Sequence, residues 1–429
     1  MGIRRGSEKG HALTVDVVIV GAGAAGIGAG LELAERGVSC VILEAAERVG
    51  GRAFTDETSL PYRWDQGCHW LHCADVNPLV AWADRLGASY ISEIRSNHFA
   101  IWSGSEWLDD ETAAVARSHT VAAFAAVEAF GASEADRPIS GVIPDAGRWS
   151  APVRHILTLM ASEDPERVSA KGYADYEDTG VNWPVLSGYG DLVARMAAGL
   201  PVRLGVAVTG IDQLAGRVRI ETTQGTLDAR AVVVTASTNV LLSGAIRFGA
   251  GPARDVLKDF VGDVPCGAYE KVAIALRRKI VADERKLFCM IDPGDGSSPV
   301  DFQIVSSGEP VMIAHMAGDL ARGLAAEGRD AMADFAVERL ALAFGDDVRK
   351  EIVACGVTGW GANPFVRGGY SYARPGTADR WQELIAADTG NVAFAGEALS
   401  RQWQATAHGA YQSGRDVAAR LAAHVLKAA

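Results

Sequence analysis

Hydrophobic and polar positions change rhythm along the chain, and each change marks an element. Val15-Asp-Val-Val-Ile-Val20 is an almost unbroken apolar run, the pattern of a strand buried on both faces of a parallel sheet. A glycine turn follows, then helical spacing over Ile27 to Arg36, then a second apolar run from Ser39 to Glu44. Strand, turn, helix and strand within roughly 30 residues make a βαβ unit. Between about 78 and 185 the chain turns Ala-rich and helical, as in Glu111 to Phe130, broken by Gly131, Pro138 and Pro144. β character returns in Val202 to Ile211, Arg217 to Thr222 and Ala231 to Thr235, and residues 262–320 read mainly as strands. The spacing predicts an amphipathic helix over 329–344, a short strand over 391–396 before a glycine-led helix, and a short amphipathic helix over Asp416 to Ala429.

Composition narrows the function classes. With 48% hydrophobic residues in 429, the chain builds a large core, in two or three domains by length. A balance of 41 Lys+Arg against 53 Asp+Glu, net −12, argues against a nucleic-acid partner. Six scattered cysteines make no disulfide framework and fit a reducing cytoplasm. No apolar run reaches the ~20 residues of a membrane span, so no membrane partner is expected. Arg4-Arg5 invites an export reading, but the only apolar stretch behind it, Val15 to Ala25, is spaced by glycines for another purpose, and a cytoplasmic location is expected.

That purpose is phosphate binding. Gly21-Ala-Gly23-Ala-Ala25-Gly26 follows a strand and opens a helix. Gly21 makes the turn, Gly23 lets the backbone approach a pyrophosphate, and Gly26 allows close packing of helix on strand. The helix N-terminus turns free N–H groups and a positive dipole end toward the phosphates. Glu44, at the end of the second strand, is placed to accept from ribose hydroxyls and disfavours a 2′-phosphate. Gly50-Gly51-Arg52 adds a close backbone approach and a cationic fork. A cluster that looks metal-ligating, Cys68-His69-Trp-Leu-His72-Cys73, lacks the usual ligand spacing, and no metal is expected.

Four blocks resemble the flavin-containing amine oxidase family, which holds the monoamine and polyamine oxidases and the flavin-dependent histone demethylases. The first is residues 16–52, in which Ala46 stands where many relatives carry a phosphate-holding arginine. The second is Gly267-Ala-Tyr-Glu-Lys271-Val, the third Trp360 through Arg367-Gly-Gly-Tyr370-Ser-Tyr372, and the fourth Phe394-Ala-Gly396-Glu397 with Thr406-Ala407-His408-Gly409. The resemblance implies an α/β fold: a Rossmann-type FAD-binding domain over 14–80, 186–260 and 366–429, and an α+β substrate domain over 81–185 and 261–365.

The resemblance also assigns roles. Gly21, Gly23, Ala25, Gly26, Glu44, Ala45, Gly50, Gly51, Arg52, Gly67, Cys68, His69, Trp70, Val208, Gly396, Glu397, Thr406 and Ala407 would hold FAD. Lys271 would hold a water beside flavin N5, and Trp360, Tyr370 and Thr406 would line the reacting amine. Thr406 replaces the second cage tyrosine of monoamine oxidases, leaving the cage one aromatic short unless Trp403 turns in. Gly369 stands where monoamine oxidases bond FAD through a cysteine, which implies a noncovalent flavin. Trp70 stands where some amino-acid oxidases have a carboxylate-binding arginine, which disfavours α-amino acids. The implied activity is oxidation of an amine to an imine by hydride transfer to N5, with O2 reduced to H2O2. A homodimer is implied only at the level of the family. The rival reading, an FAD-dependent desaturase or dehydrogenase of a non-amine substrate, shares the first block but has no need of Lys271 or the Trp360/Tyr370 pair.

Overall fold

The computed structural model describes residues 15–93, 99–133, 135–283, 286–305 and 307–427. Arg4 and Arg5 lie outside them. Two large sheets organise the chain. The first has eight strands, and its centre is Val15–Val20 between Cys40–Leu43 and Gly225–Val234, both parallel to it. Val17, Val18 and Ile19 are fully enclosed, as the unbroken apolar run requires. Val208–Leu214 and Arg217–Thr222 extend the sheet as an antiparallel ribbon, and Val392–Phe394 joins Gly225–Val234 from the far end of the sequence.

The helix Ala24–Glu35 packs on this sheet and against Ala407–Lys427. Small residues make that second contact close. A Cβ on Gly28 would sit 2.4 Å from Tyr411 O, and one on Gly414 would sit 2.0 Å from Ala25 O. The C-terminal segment is thus one long helix, not the short one expected over Asp416 to Ala429, because Ala410, Tyr411, Val417 and Ala418 bury against the first helix.

The second sheet has seven strands, ordered Ile352–Val357, Tyr269–Leu276, Val311–Ala317, Val300–Ile304, Phe288–Asp292, Phe99–Ser103 and Glu106–Trp107. Alternation along Tyr269–Leu276 sends Val272, Ile274 and Leu276 toward Met332, Ala336 and Leu340 of the helix Arg329–Phe344. Each such apolar side chain contributes about 1.5–3 kcal/mol on full burial. The opposite face of the same strand carries Tyr269 and Lys271, and it turns toward the first sheet. The Ala-rich helix Asp110–Phe130, capped by the Asp109 carboxylate on Thr112 N–H at 2.8 Å, closes one side with Ser150–Ala161. Among the described residues, no helix is long and apolar enough to cross a membrane.

Candidate active site

One cavity of about 1410 Å³ runs between the two sheets. It exceeds the 300–1,000 Å³ of an ordinary small-molecule site, leaving room for a dinucleotide and a substrate together. Its wall includes Gly21, Gly23, Ala25, Glu44, Ala45, Gly50, Gly51, Arg52, Gly67, Cys68, His69, Trp70, Val208, Gly396, Glu397, Thr406 and Ala407, with Lys271, Trp360 and Tyr370 further along. Gly26 lies beneath the wall: a Cβ there would meet Gly21 O at 1.9 Å, so the tight turn and the helix start require glycine.

At the glycine end the helix Ala24–Glu35 begins with no side-chain cap on Gly23, and its first turn carries no acidic residue. That end is suited to an anion. The Glu44 carboxylate is held by Ala22 N–H at 2.6 Å and Ala46 N–H at 2.8 Å, which fixes it at the cavity wall. Arg52 donates to Gly369 O at 2.5 Å and to Glu397 Oε1 at 2.8 Å. Glu397 also accepts from the Ser371 hydroxyl and from Ala405 N–H. Its carboxylate thereby ties together the first, third and fourth sequence blocks.

At the other end Lys271 is 2% exposed. Its Nζ donates to Asp65 O at 3.1 Å and Gly67 O at 2.6 Å, and it lies 3.2 Å from His69 Nδ1. Two carbonyls and an imidazole nitrogen thus surround the three donors of the ammonium. The resemblance implies a lysine that holds a water; here its donors meet protein acceptors and pin the turn from Asp65 to His69. Burial lowers the Lys271 pKa to about 8, against which the Asp65 carboxylate pulls upward. Burial and the lysine's charge hold His69 and His315 neutral, well below the usual imidazole range.

The rings around Tyr370 are not those expected. Trp403 packs on the His408 ring at 5.2 Å and takes no part in the cavity wall. Thr406 spends its hydroxyl at the start of the last helix, donating to Trp403 O and accepting from Gly409 N–H. The ring beside Tyr370 is Tyr269, 5.6 Å away and tilted by 42°. Tyr370 OH donates to Leu159 O, and Tyr269 OH pairs with His315 Nδ1 at 2.7 Å. Trp360 is fixed from two sides: its Nε1 donates to Gln66 O at 3.1 Å, and its backbone N–H donates to Glu270 Oε2 at 3.0 Å. Trp70 stacks on Phe288 at 5.9 Å.

The metal-like cluster has four separate sets of partners. Cys68 lies 4.0 Å from Arg52 O, His69 meets Lys271, His72 meets Asn182, and Cys73 meets Tyr176 and Glu177. Sequence reasoning missed Tyr269, Glu270, Asp301 and His315. The signal available was a polar or charged residue inside an otherwise apolar strand, as in YEKVAIAL, VDFQI and VMIAHMA.

With this geometry in view, comparison with known proteins is decisive. A family described as flavin containing amine oxidoreductase matches residues 149–422, and one described as NAD(P)-binding Rossmann-like domain matches 19–86. The chain belongs to the flavin-containing amine oxidoreductase family. It is 26% identical to polyamine oxidase 2 of Arabidopsis thaliana, over 95% of this chain and 88% of that protein. It is 24% identical to lysine-specific histone demethylase 2 of Homo sapiens, over 95% of this chain but about half (53%) of the demethylase. Among solved structures, cyclohexylamine oxidase from Brevibacterium oxydans IH-35A superposes with a TM-score of 0.79 at 20% identity, covering 96% of this chain and 99% of that one. That likeness shows the fold. The enzyme is a flavin-dependent amine oxidoreductase and its cofactor is noncovalent FAD. Position 369 agrees: a Cβ there would come within 2.8 Å of the Tyr269 Cβ, so the packing at this point is fitted to glycine.

Proposed function

We propose that the enzyme oxidises the C–N bond of a small amine to an imine, which water hydrolyses to a carbonyl compound plus an amine or ammonia. The observation that carries this reading is the continuity of one cavity, from the glycine turn at Gly21–Gly26 to the aromatic end at Trp360, Tyr370 and Tyr269 beside a buried lysine. When bound, FAD supplies the two-electron acceptor, taking hydride from the amine α-carbon at N5 and passing the electrons to O2 to give H2O2. Gly21, Gly23, Glu44, Arg52 and Glu397 would hold its nucleotide and pyrophosphate side. Gly67 to Trp70 and Thr406 to Ala407 would line its ring. The two sheets would centre two domains, with the FAD domain over 14–80, 186–260 and 366–429 and the substrate domain over 81–185 and 261–365.

The residues of the aromatic end do three things. Tyr269 and Tyr370 offer ring faces to the amine, and their hydroxyls, already committed to His315 and Leu159, hold those faces still. Trp360 closes the third side. Lys271 is a fixed positive charge, so the nitrogen nearest it is favoured neutral, with the lone pair that drives hydride loss. No side chain is needed as a general base for that step. The test is to follow O2 uptake and peroxide together in the presence of amines. One H2O2 formed per amine consumed is expected. Amine turnover only with an artificial acceptor, without peroxide, would remove O2 from the reading.

A further inference from the structure

The helix Ser150–Ala161 ends on a strained residue. Ser162, which follows it, is fully enclosed and sits in the left-handed region at φ 55°, ψ 14°. Glycine is the usual residue at such a helix end, because a Cβ in that conformation is costly. A strained residue persists only where its surroundings over-determine it, and such residues gather at working sites.

The surroundings of Ser162 do over-determine it. The next residue, Glu163, is buried and accepts from the two terminal nitrogens of Arg322 at 2.6 and 2.8 Å and from Arg167 Nε at 2.8 Å. These bonds fix the chain just beyond the strained position. The hydroxyl supplies the reason for serine in place of glycine. Ser162 Oγ donates to Tyr370 O at 2.8 Å, a carbonyl that also accepts from Gly267 N–H at 2.9 Å. The facing positions leave room for that bond: a Cβ on Gly267 would lie 2.4 Å from Ser162 Oγ, and one on Gly369 would lie 3.3 Å from Ser162 Cβ. The same helix end also takes the far end of the tyrosine. Tyr370 OH donates to Leu159 O, in the last turn, where helix carbonyls lack intrahelical partners. Leu159 and Ser162 thus hold one ring by its hydroxyl and by its backbone.

We propose that Ser162 is a positioning residue for Tyr370, and that the strain at the helix end is retained because the hydroxyl sets the tilt of that ring in the cavity. The inference rests on the reading that Tyr370 receives the amine. Without the Ser162 hydroxyl, the ring pivots about its remaining bond to Leu159.

The test uses two variants of the FAD-loaded enzyme. Ser162→Gly relieves the strain and removes the hydroxyl; Ser162→Ala removes the hydroxyl and keeps the strain. In anaerobic flavin reduction by benzylamine and n-pentylamine, the ratio of limiting rate to half-saturation should fall about three- to tenfold in both variants, the size of one neutral hydrogen bond, with FAD content unchanged. Ser162→Gly should nevertheless melt about 1–3 °C above Ser162→Ala. A purely structural serine would make the loss of rate follow the loss of Tm, so that the glycine variant stayed the more active. Fluorine NMR of protein labelled with meta-fluorotyrosine reads the ring without substrate: the Tyr370 resonance, assigned by its absence in Tyr370→Phe, should move in both variants. Wild-type efficiency in Ser162→Gly, or a Tyr370 resonance that stays in place, overturns the proposal. Wild-type flavin that neither amine nor any other amine reduces, with a resonance that moves in both variants, would overturn the amine-oxidase reading and leave the seat of Tyr370 standing.

Discussion

Lys271 Nζ lies 3.2 Å from His69 Nδ1, and its two other donors reach carbonyls of the same turn. A strand of one sheet thus grips a turn that lines the cavity, and the grip is made of one buried charge. The lysine brings the second sequence block to the turn at residues 65–70, more than two hundred residues away in the chain.

Lys271→Met should therefore act on the turn as well as on the chemistry. The carbonyls of Asp65 and Gly67 lose their donor, while the cost of a buried charge disappears, so stability is expected to change by no more than about 2 kcal/mol. The rate of anaerobic flavin reduction should fall at least about tenfold, and the ionisation near pH 8 should vanish from its pH profile. Stopped-flow traces at several pH values check both. Reduction and reoxidation at wild-type rates would remove Lys271 from the site.

Glu270 sets the position of Trp360. Its carboxylate accepts from Trp360 N–H, Gly361 N–H and the Thr358 hydroxyl. Glu270→Gln puts an amide donor against some of those donors and should lower stability by about 1–3 kcal/mol. Half-saturation by amines should rise several-fold with FAD content unchanged, because the damaged loop carries Trp360, which we propose lines the amine. A thermal scan and a flavin-reduction titration separate the two effects.

Asp301 makes stability pH-dependent in a known direction. Burial raises its pKa from 3.8 to about 7, so its carboxyl is most favourable below pH 4 and its contribution is lost as pH rises through 7. Of the groups around it, Lys271 keeps its charge below about pH 8, His315 stays neutral and Tyr269 stays protonated. Asp301→Asn should therefore gain stability relative to wild type between pH 4 and 8, on the order of a few kcal/mol. Denaturant midpoints at pH 5 and pH 8 check this. A difference that does not change with pH would contradict it.

Gly369→Ala tests the packing behind Tyr269. The added Cβ meets Tyr269 Cβ at 2.8 Å, Ser162 Cβ at 3.3 Å and Tyr269 N at 3.4 Å. Overpacking of this kind costs about 1–3 kcal/mol and should displace the Tyr269–Tyr370 pair. A lowered Tm with weakened amine binding is expected, and an unchanged Tm would mean the ring moves freely.

The legible parts of the sequence were those where chemistry and position are local. Gly21-Ala-Gly-Ala-Ala-Gly26 between an apolar run and a helix was readable as a tight turn opening a helix, because one short segment contains every part of that device. The helix over 329–344 was readable for the same reason. Asp301 and His315 were not. Their meaning depends on which strands lie side by side, and the pairings that join Lys271, His315 and Asp301 bring together segments whose register no local pattern specifies. Trp403 illustrates the converse: its position near Thr406 pointed to the cage, but packing against His408 turns it away. The place beside Tyr370 is filled by Tyr269, two residues from Lys271 on the same face of its strand.

The most direct test of the central reading is flavin absorbance in the absence of oxygen while primary, secondary and polyamines are added in turn. Bleaching of the visible flavin band by at least one amine class, with return of the band on admitting air, is the expected result. A band that every amine leaves untouched, in protein shown to hold FAD, would contradict amine oxidation.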